Sequence, residues 1–130
     1  MYFAAHFAML AALALCLAGA AVSCHEAWSG RAEKVRILEK MQLGTFSLVL
    51  FASAALLYAL LSRDFSLSYV ARYTDSALPL FYTIAAFWAG QEGSLLFWML
   101  LIASFGFLLA RAAAYQKLSQ RHRLYFWLFY

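Results

Sequence analysis

Hydrophobic and polar residues along this chain fall into long blocks rather than an alternating or amphipathic rhythm. Tyr2 to Ser23 carries no charged residue, and its 22 residues at 1.5 Å each make about 33 Å of helix, enough to cross a hydrocarbon core of about 30 Å. Met41 to Ser62 is equally long and equally free of charge. Gly93 to Ala110 stops before Arg111, and its 18 residues just suffice. The pattern predicts an all-α integral membrane fold with spans over 2–23, 41–62 and 93–110. The first run lacks the basic leading segment of a secretory signal, so it reads as an uncleaved span even though Ala18-Gly19-Ala20 has the small residues of a cleavage site.

Between the second and third spans, Ala77 to Gly90 is apolar but only 14 residues long. As a helix it would reach about 21 Å, the length of an interfacial or re-entrant segment. Asp75 or Ser76 is the expected cap, Pro79 falls in the first turn, and Gly90 is a natural stop. A new helix is expected to restart at Gln91-Glu92-Gly93, with Glu92 near its positive end. The last seven residues, Leu124 to Tyr130, are apolar or aromatic and read as the start of a fourth span.

Composition sharpens this picture. Hydrophobic residues make up 66% of the chain and charged residues 12%, against about 25% charged in a soluble domain. With 12 Phe, 8 Tyr and 4 Trp in 130 residues, a soluble fold this small has too little interior to hide its apolar surface. Disorder is excluded on the same ground. The net charge of +4 is a topology signal rather than a nucleic-acid footprint. Arg31, Lys34, Arg36 and Lys40 lie in the first loop, Arg63 and Arg72 in the second, and Arg111, Lys117, Arg121 and Arg123 in the third. Loops one and three are therefore expected in the cytoplasm, with loop two and the N-terminus outside.

Chemistry is sparse. Ala4, Ala8 and Ala12, Ala55 and Ala59, and Ala103, Gly106 and Ala110 recur at helical spacing and offer faces for close helix packing. In the outer loop, Phe87, Trp88 and Trp98 with Tyr82 read either as an interfacial aromatic belt or as one wall of a shelf for a flat apolar ligand. Glu92 reads as a carboxylate at a helix N-terminus, or as a partner for Arg63 or Arg72. His6 is a lone imidazole near a helix end, His25 and His122 lie at the opposite border, and Cys16 and Cys24 have no metal or redox spacing. No nucleophile–base pair, paired carboxylates, phosphate loop or metal spacing is present in the sequence.

Three strings in the outer loop carry a resemblance: Asp64-Phe-Ser-x-x-Tyr-Val-Ala, Ser76-Ala-Leu-Pro-x-x-Tyr, and Trp88-Ala-Gly-Gln-Glu-Gly-Ser-Leu-Leu-Phe-Trp. With them the chain resembles the N-terminal part of the CcmF family, including its NrfE-like relatives, the integral-membrane haem lyase component of bacterial cytochrome c maturation. Where this chain has Gln91 the family commonly has His, and where it has Thr83 the family often has a basic residue. The family's tryptophan-rich WWD haem-binding motif and its axial histidines lie downstream of the stretch represented here.

The resemblance implies haem as cofactor, with axial ligands outside this chain. It also implies a bacterial inner-membrane setting, and as partners the remainder of the CcmF-like protein, CcmH- and CcmI-like subunits, the haem chaperone CcmE and apocytochrome c, but no nucleic acid. The chain is then an N-terminal fragment or split subunit, not catalytic alone. Trp88, Trp98, Phe87, Tyr82 and Glu92 are its expected contribution to an outer hydrophobic wall around haem. The competing expectation is a small non-enzymatic accessory subunit of a membrane transporter or respiratory complex.

Overall fold

The computed structural model describes residues 2–130. Helix α1 covers Tyr2–Trp28, α2 Val35–Leu61, α3 Ser68–Tyr73, α4 Leu80–Ala85, α5 Gln91–Arg111, α6 Ala113–Gln116 and α7 Gln120–Phe129, with a 3-10 turn at Ala86–Trp88. Three of these, α1, α2 and α5, are long and apolar enough to cross a membrane. No strand is found among the described residues.

The helices outrun the charge-free windows because backbone hydrogen bonding, not polarity, decides where a helix stops. The first continues five residues past Ser23 to Trp28, and the second begins at Val35, six residues before Met41. Helix α1 ends in a Schellman motif: Gly30 N–H donates to Ala27 O and Arg31 N–H to Glu26 O, with Gly30 at φ +66°. Lys34, the N-cap of α2, makes no side-chain cap bond. Glu26 takes over that role from the preceding helix, its Oε2 accepting the backbone N–H groups of Glu33 at 3.0 Å and Lys34 at 3.2 Å. The carboxylate is 2% exposed and has Lys34 Nζ at 3.8 Å, so the α1–α2 hairpin is pinned by one buried acidic side chain.

Helix α2 ends in a second Schellman motif, with Arg63 N–H donating to Leu60 O and Asp64 N–H to Ala59 O. Here the left-handed position is held by Arg63 at φ +53° rather than by glycine. Its guanidinium donates to Ser76 O and, at 2.9 Å, to Leu78 O, fastening the following loop to the helix end.

Helix α2 is central and packs on both α1 and α5. Small residues line these contacts: Ala8 and Ala12 on α1, Ala52, Ala55 and Ala59 on α2, and Ala103 and Gly106 on α5 are buried, whereas Ala4 is exposed. A Cβ on Gly106 would crowd the Tyr130 hydroxyl and lie 2.5 Å from Gln42 Nε2, so this glycine makes room for the Gln42 and Tyr130 side chains. The opposite faces carry exposed Phe7, Leu13 and Leu17 on α1 and Trp98, Ile102 and Phe105 on α5, which is the inverse of a soluble helix bundle and the expected surface toward lipid. The protein is a multi-pass membrane protein.

Two cores sit at opposite ends. One joins Ala12, Val49, Leu60, Val70, Phe87 and Leu96, and so binds the α2–α5 loop onto the spans. The other joins Val35, Leu38, Tyr115, Leu124 and Trp127. Helix α7 is N-capped by Ser119, whose hydroxyl accepts His122 N–H, and returns along α1 and α2. Its end is held on α5, where Tyr130 Oη accepts Gly106 N–H at 3.0 Å. The segment 124–130 thus comprises the C-terminal part of α7 and Tyr130, packed against the bundle.

The stretch 77–90 is not one helix. Asp75 does not cap α4: its Oδ1 accepts from Ser76 Oγ at 3.0 Å and, more weakly, from Ala77 N–H at 3.4 Å, forming a local turn. Pro79 occupies the N-cap with ψ 149°, and α4 runs for 6 residues before tightening into the 3-10 turn. Sequence hydropathy recorded the apolarity of this segment but not its two bends.

Candidate functional site in the loop between the second and third spans

The loop is organised around Tyr69. Helix α3 aims its phenol at the corner where the 3-10 turn gives way to α5. Tyr69 Oη lies 3.0 Å from Ala86 O and 3.3 Å from Phe87 O as donor, and accepts Gly90 N–H at 3.2 Å. These groups lie where a helix has just ended; Ala86 O also accepts Ala89 N–H at 3.3 Å, whereas Phe87 O and Gly90 N–H depend on the hydroxyl. Burial, the largest influence, raises the Tyr69 pKa above its ordinary value of 10.0, and the negative charge of Glu92 adds to the rise while the Gly90 N–H opposes it.

Such close approach requires glycine at two positions. A Cβ on Gly90 would lie 2.5 Å from Tyr73 Cε2 and 2.8 Å from Tyr69 Cε2, and one on Gly93 would collide with Phe87 O and Tyr69 Oη. Ser94 Oγ closes the corner by donating to Trp88 O at 2.7 Å. Gly90 is the N-cap of α5 and Glu92 lies in its first turn, as the sequence indicated. Glu92 pairs with Arg72 at 3.8 Å, both side chains being more than half exposed. Arg63 serves the loop backbone instead.

A cleft of about 340 Å³ opens beside this corner between α1, α2, α3 and α5, with His6, Met9, Tyr69, Arg72, Glu92 and Leu96 on its walls. The five expected wall residues are distributed around it rather than gathered in it. Phe87 is buried and meets Phe97 edge-on at 6.3 Å, and Trp88, half exposed, lies 5.9 Å from the same ring. Glu92 borders the cleft. Tyr82 is exposed on α4 and packs against Phe81 at 5.7 Å, while Trp98 is exposed on the outward stripe of α5. Of the five, Glu92 alone lines the cleft; Phe87 and Trp88 meet at the Phe97 ring beside the head of α5, and Tyr82 and Trp98 stand apart from both. Thr83 is buried with its hydroxyl on Pro79 O, and Gln91 is exposed.

As ligands for haem these residues offer little. The cleft lining supplies one imidazole, His6, and one guanidinium, Arg72, which is already facing Glu92. No group of three His, Cys, Asp or Glu able to hold a metal ion occurs among the described residues. The sequence reading assigned no role to Tyr69 or Tyr73, and it considered Arg63 as a partner for Glu92 rather than as a clamp on the loop backbone. Tyr69 stood inside the quoted Asp64-Phe-Ser-x-x-Tyr-Val-Ala string, but its reach across 17 residues to Ala86 O has no local signature.

No protein-family model matches the chain. Curated relatives do: it is 37% identical over 99 residues to the cytochrome c-type biogenesis protein CcmF of Pseudomonas fluorescens, a match covering 76% of this chain and 15% of the relative. It is 36% identical over 110 residues to the cytochrome c-type biogenesis protein ccl1 of Rhodobacter capsulatus, covering 85% and 16%. To the probable cytochrome c-type biogenesis protein NrfE of Escherichia coli K12 it is 44% identical over 68 residues, covering 52% and 12%. A solved structure named cytochrome c heme lyase CcmF superposes on 98% of this chain and 22% of its own length, with a TM-score of 0.80 and 29% identity. The chain belongs to the CcmF family. It spans about 15% of the length of the CcmF relatives it matches. The CcmF resemblance seen in the loop motifs therefore extends to backbone geometry over almost the entire chain.

Proposed function

We propose that this chain is a membrane segment of the haem lyase machinery that attaches haem to apocytochrome c. The observation that carries the reading is the superposition of 98% of the chain on a CcmF haem lyase at a TM-score of 0.80. In this reading haem supplies the group to be attached, and its axial ligands come from polypeptide other than these 130 residues. The chain's own work is architectural. Tyr69 with Gly90 and Gly93 fixes the corner of the α2–α5 loop, which presents Trp88, its buried neighbour Phe87 and Glu92 at the head of α5, with Tyr82 and Trp98 as the outlying part of an apolar wall.

The Lys and Arg balance of the loops supports an orientation with this corner and the N-terminus outside the bacterial inner membrane. There it would meet the haem chaperone CcmE, apocytochrome c and CcmH- and CcmI-like subunits, alongside the remainder of a CcmF-like protein. The test is affinity purification of the tagged chain from native membranes in mild detergent, followed by haem quantitation. The expected result is recovery of haem together with a further membrane polypeptide, and a lower haem content after Trp88→Ala. Recovery of the chain with neither haem nor such a polypeptide would overturn the proposal.

A further inference from the structure

At the opposite end of the bundle from Tyr69, a second pocket of about 320 Å³ lies between the start of α2 and the end of α5. Arg36 and Lys40 enter it from one face of α2, four residues apart, and Arg111 enters it from the last turn of α5. Among the described residues none of these three cations has an ion-pair partner. The single acid in the lining, Glu39, is already committed, with Arg123 Nη1 at 3.5 Å and the Tyr115 hydroxyl donating at 2.8 Å.

The position of the cations matters as much as their charge. Lys40 immediately precedes the charge-free run that begins at Met41, with Arg36 one helical turn before it, and Arg111 immediately follows the run that ends at Ala110. All three therefore stand where hydrocarbon meets headgroups. Below them the wall turns apolar: Leu43 and Phe107 line the pocket, Phe107 stacks on Phe46 at 4.5 Å, and the Arg111 guanidinium lies 3.9 Å over the Phe107 ring. Gln42 fixes the back by donating to Ala103 O at 3.1 Å.

We infer that this pocket binds the phosphodiester headgroup of an anionic phospholipid from the surrounding leaflet, with the acyl chains lying along Leu43, Phe46 and Phe107. A phosphate ligand satisfies three unpaired cations at once, and basic pockets between spanning helices at the membrane border are suited to anionic headgroups. The apolar floor distinguishes a lipid from a soluble phosphate, because only the lipid gains from covering it.

The experiment is native mass spectrometry on the tagged chain, purified with the partners it holds in the membrane. Phosphatidylglycerol and phosphatidylcholine with identical acyl chains are titrated in turn. Phosphatidylglycerol is expected to be retained at one copy per chain with an apparent affinity higher by about tenfold or more. Arg36→Gln with Lys40→Gln, both exposed positions, should remove most of that preference, whereas Arg31→Gln with Arg121→Gln should leave it. Equal retention of the two lipids by the unsubstituted chain would overturn the inference without reference to any variant. So would an unchanged preference in the doubly substituted pocket, or displacement of phosphatidylglycerol by millimolar inorganic phosphate, which would mean an adventitious anion site.

Discussion

Tyr69 does with one hydroxyl what a longer loop would need several side chains to do. Replacing it with Phe removes the partner of Phe87 O and Gly90 N–H and the second donor to Ala86 O, which keeps Ala89 N–H; leaving the first two half-buried and unmet should cost about 1–3 kcal/mol. A lowered thermal midpoint in detergent, with helicity retained below it, is the expected outcome. Gly93→Ala forces a methyl into Phe87 O and Tyr69 Oη, and overpacking of this kind costs about 1–3 kcal/mol. Its signature should be lower abundance in membranes, while Ser76→Ala, at an exposed position, has little effect.

The hydroxyl also sets a pH limit. Because burial raises the Tyr69 pKa above 10.0, its neutral form is favoured in the folded loop. The associated stability is present below pH about 10 and lost as pH rises through the shifted value. Thermal midpoints of the native chain should therefore fall above pH 10, and those of the Tyr69→Phe variant less steeply. Sequence revealed the motif that contains Tyr69 but not its reach, since a bond between residues 69 and 86 is written in tertiary geometry.

Among elements, the lesson concerns helix ends. Charge-free windows located the three spans because the hydrocarbon layer selects on polarity, yet α1 and α2 run five and six residues beyond those windows. Their ends answer to Gly30, Glu26 and Arg63, which satisfy backbone groups. Glu26→Ala should destabilise the α1–α2 hairpin by about 1–3 kcal/mol, because two amide groups lose their acceptor. Lys34→Ala should change stability by no more than about 1 kcal/mol, since its ammonium is half exposed and 3.8 Å away. Comparing the two variants by thermal unfolding separates the capping role of Glu26 from the ion pair. The bent segment 77–90 escaped the sequence because an apolar run of that length has no periodicity to betray a turn.

Taken as a whole molecule, the described residues form a bundle of three long apolar helices with the short α7 against it, a loop ordered around Tyr69 at one end and a cationic rim at the other. That architecture was legible, since apolar length and loop charge are properties of sequence blocks. The arrangement of the aromatic residues was not, because whether Trp98 shares a surface with Trp88 depends on the rotation of α5 about its axis. The family relationship supports the central proposal, a role in haem attachment. Its most direct test is in-gel haem staining of membrane and periplasmic c-type cytochromes in the native host. Strains lacking the chain should lose covalent haem on those cytochromes while b-type absorbance persists, with recovery on re-expression of the unsubstituted chain. Undiminished covalent haem in the strain without it would contradict the account.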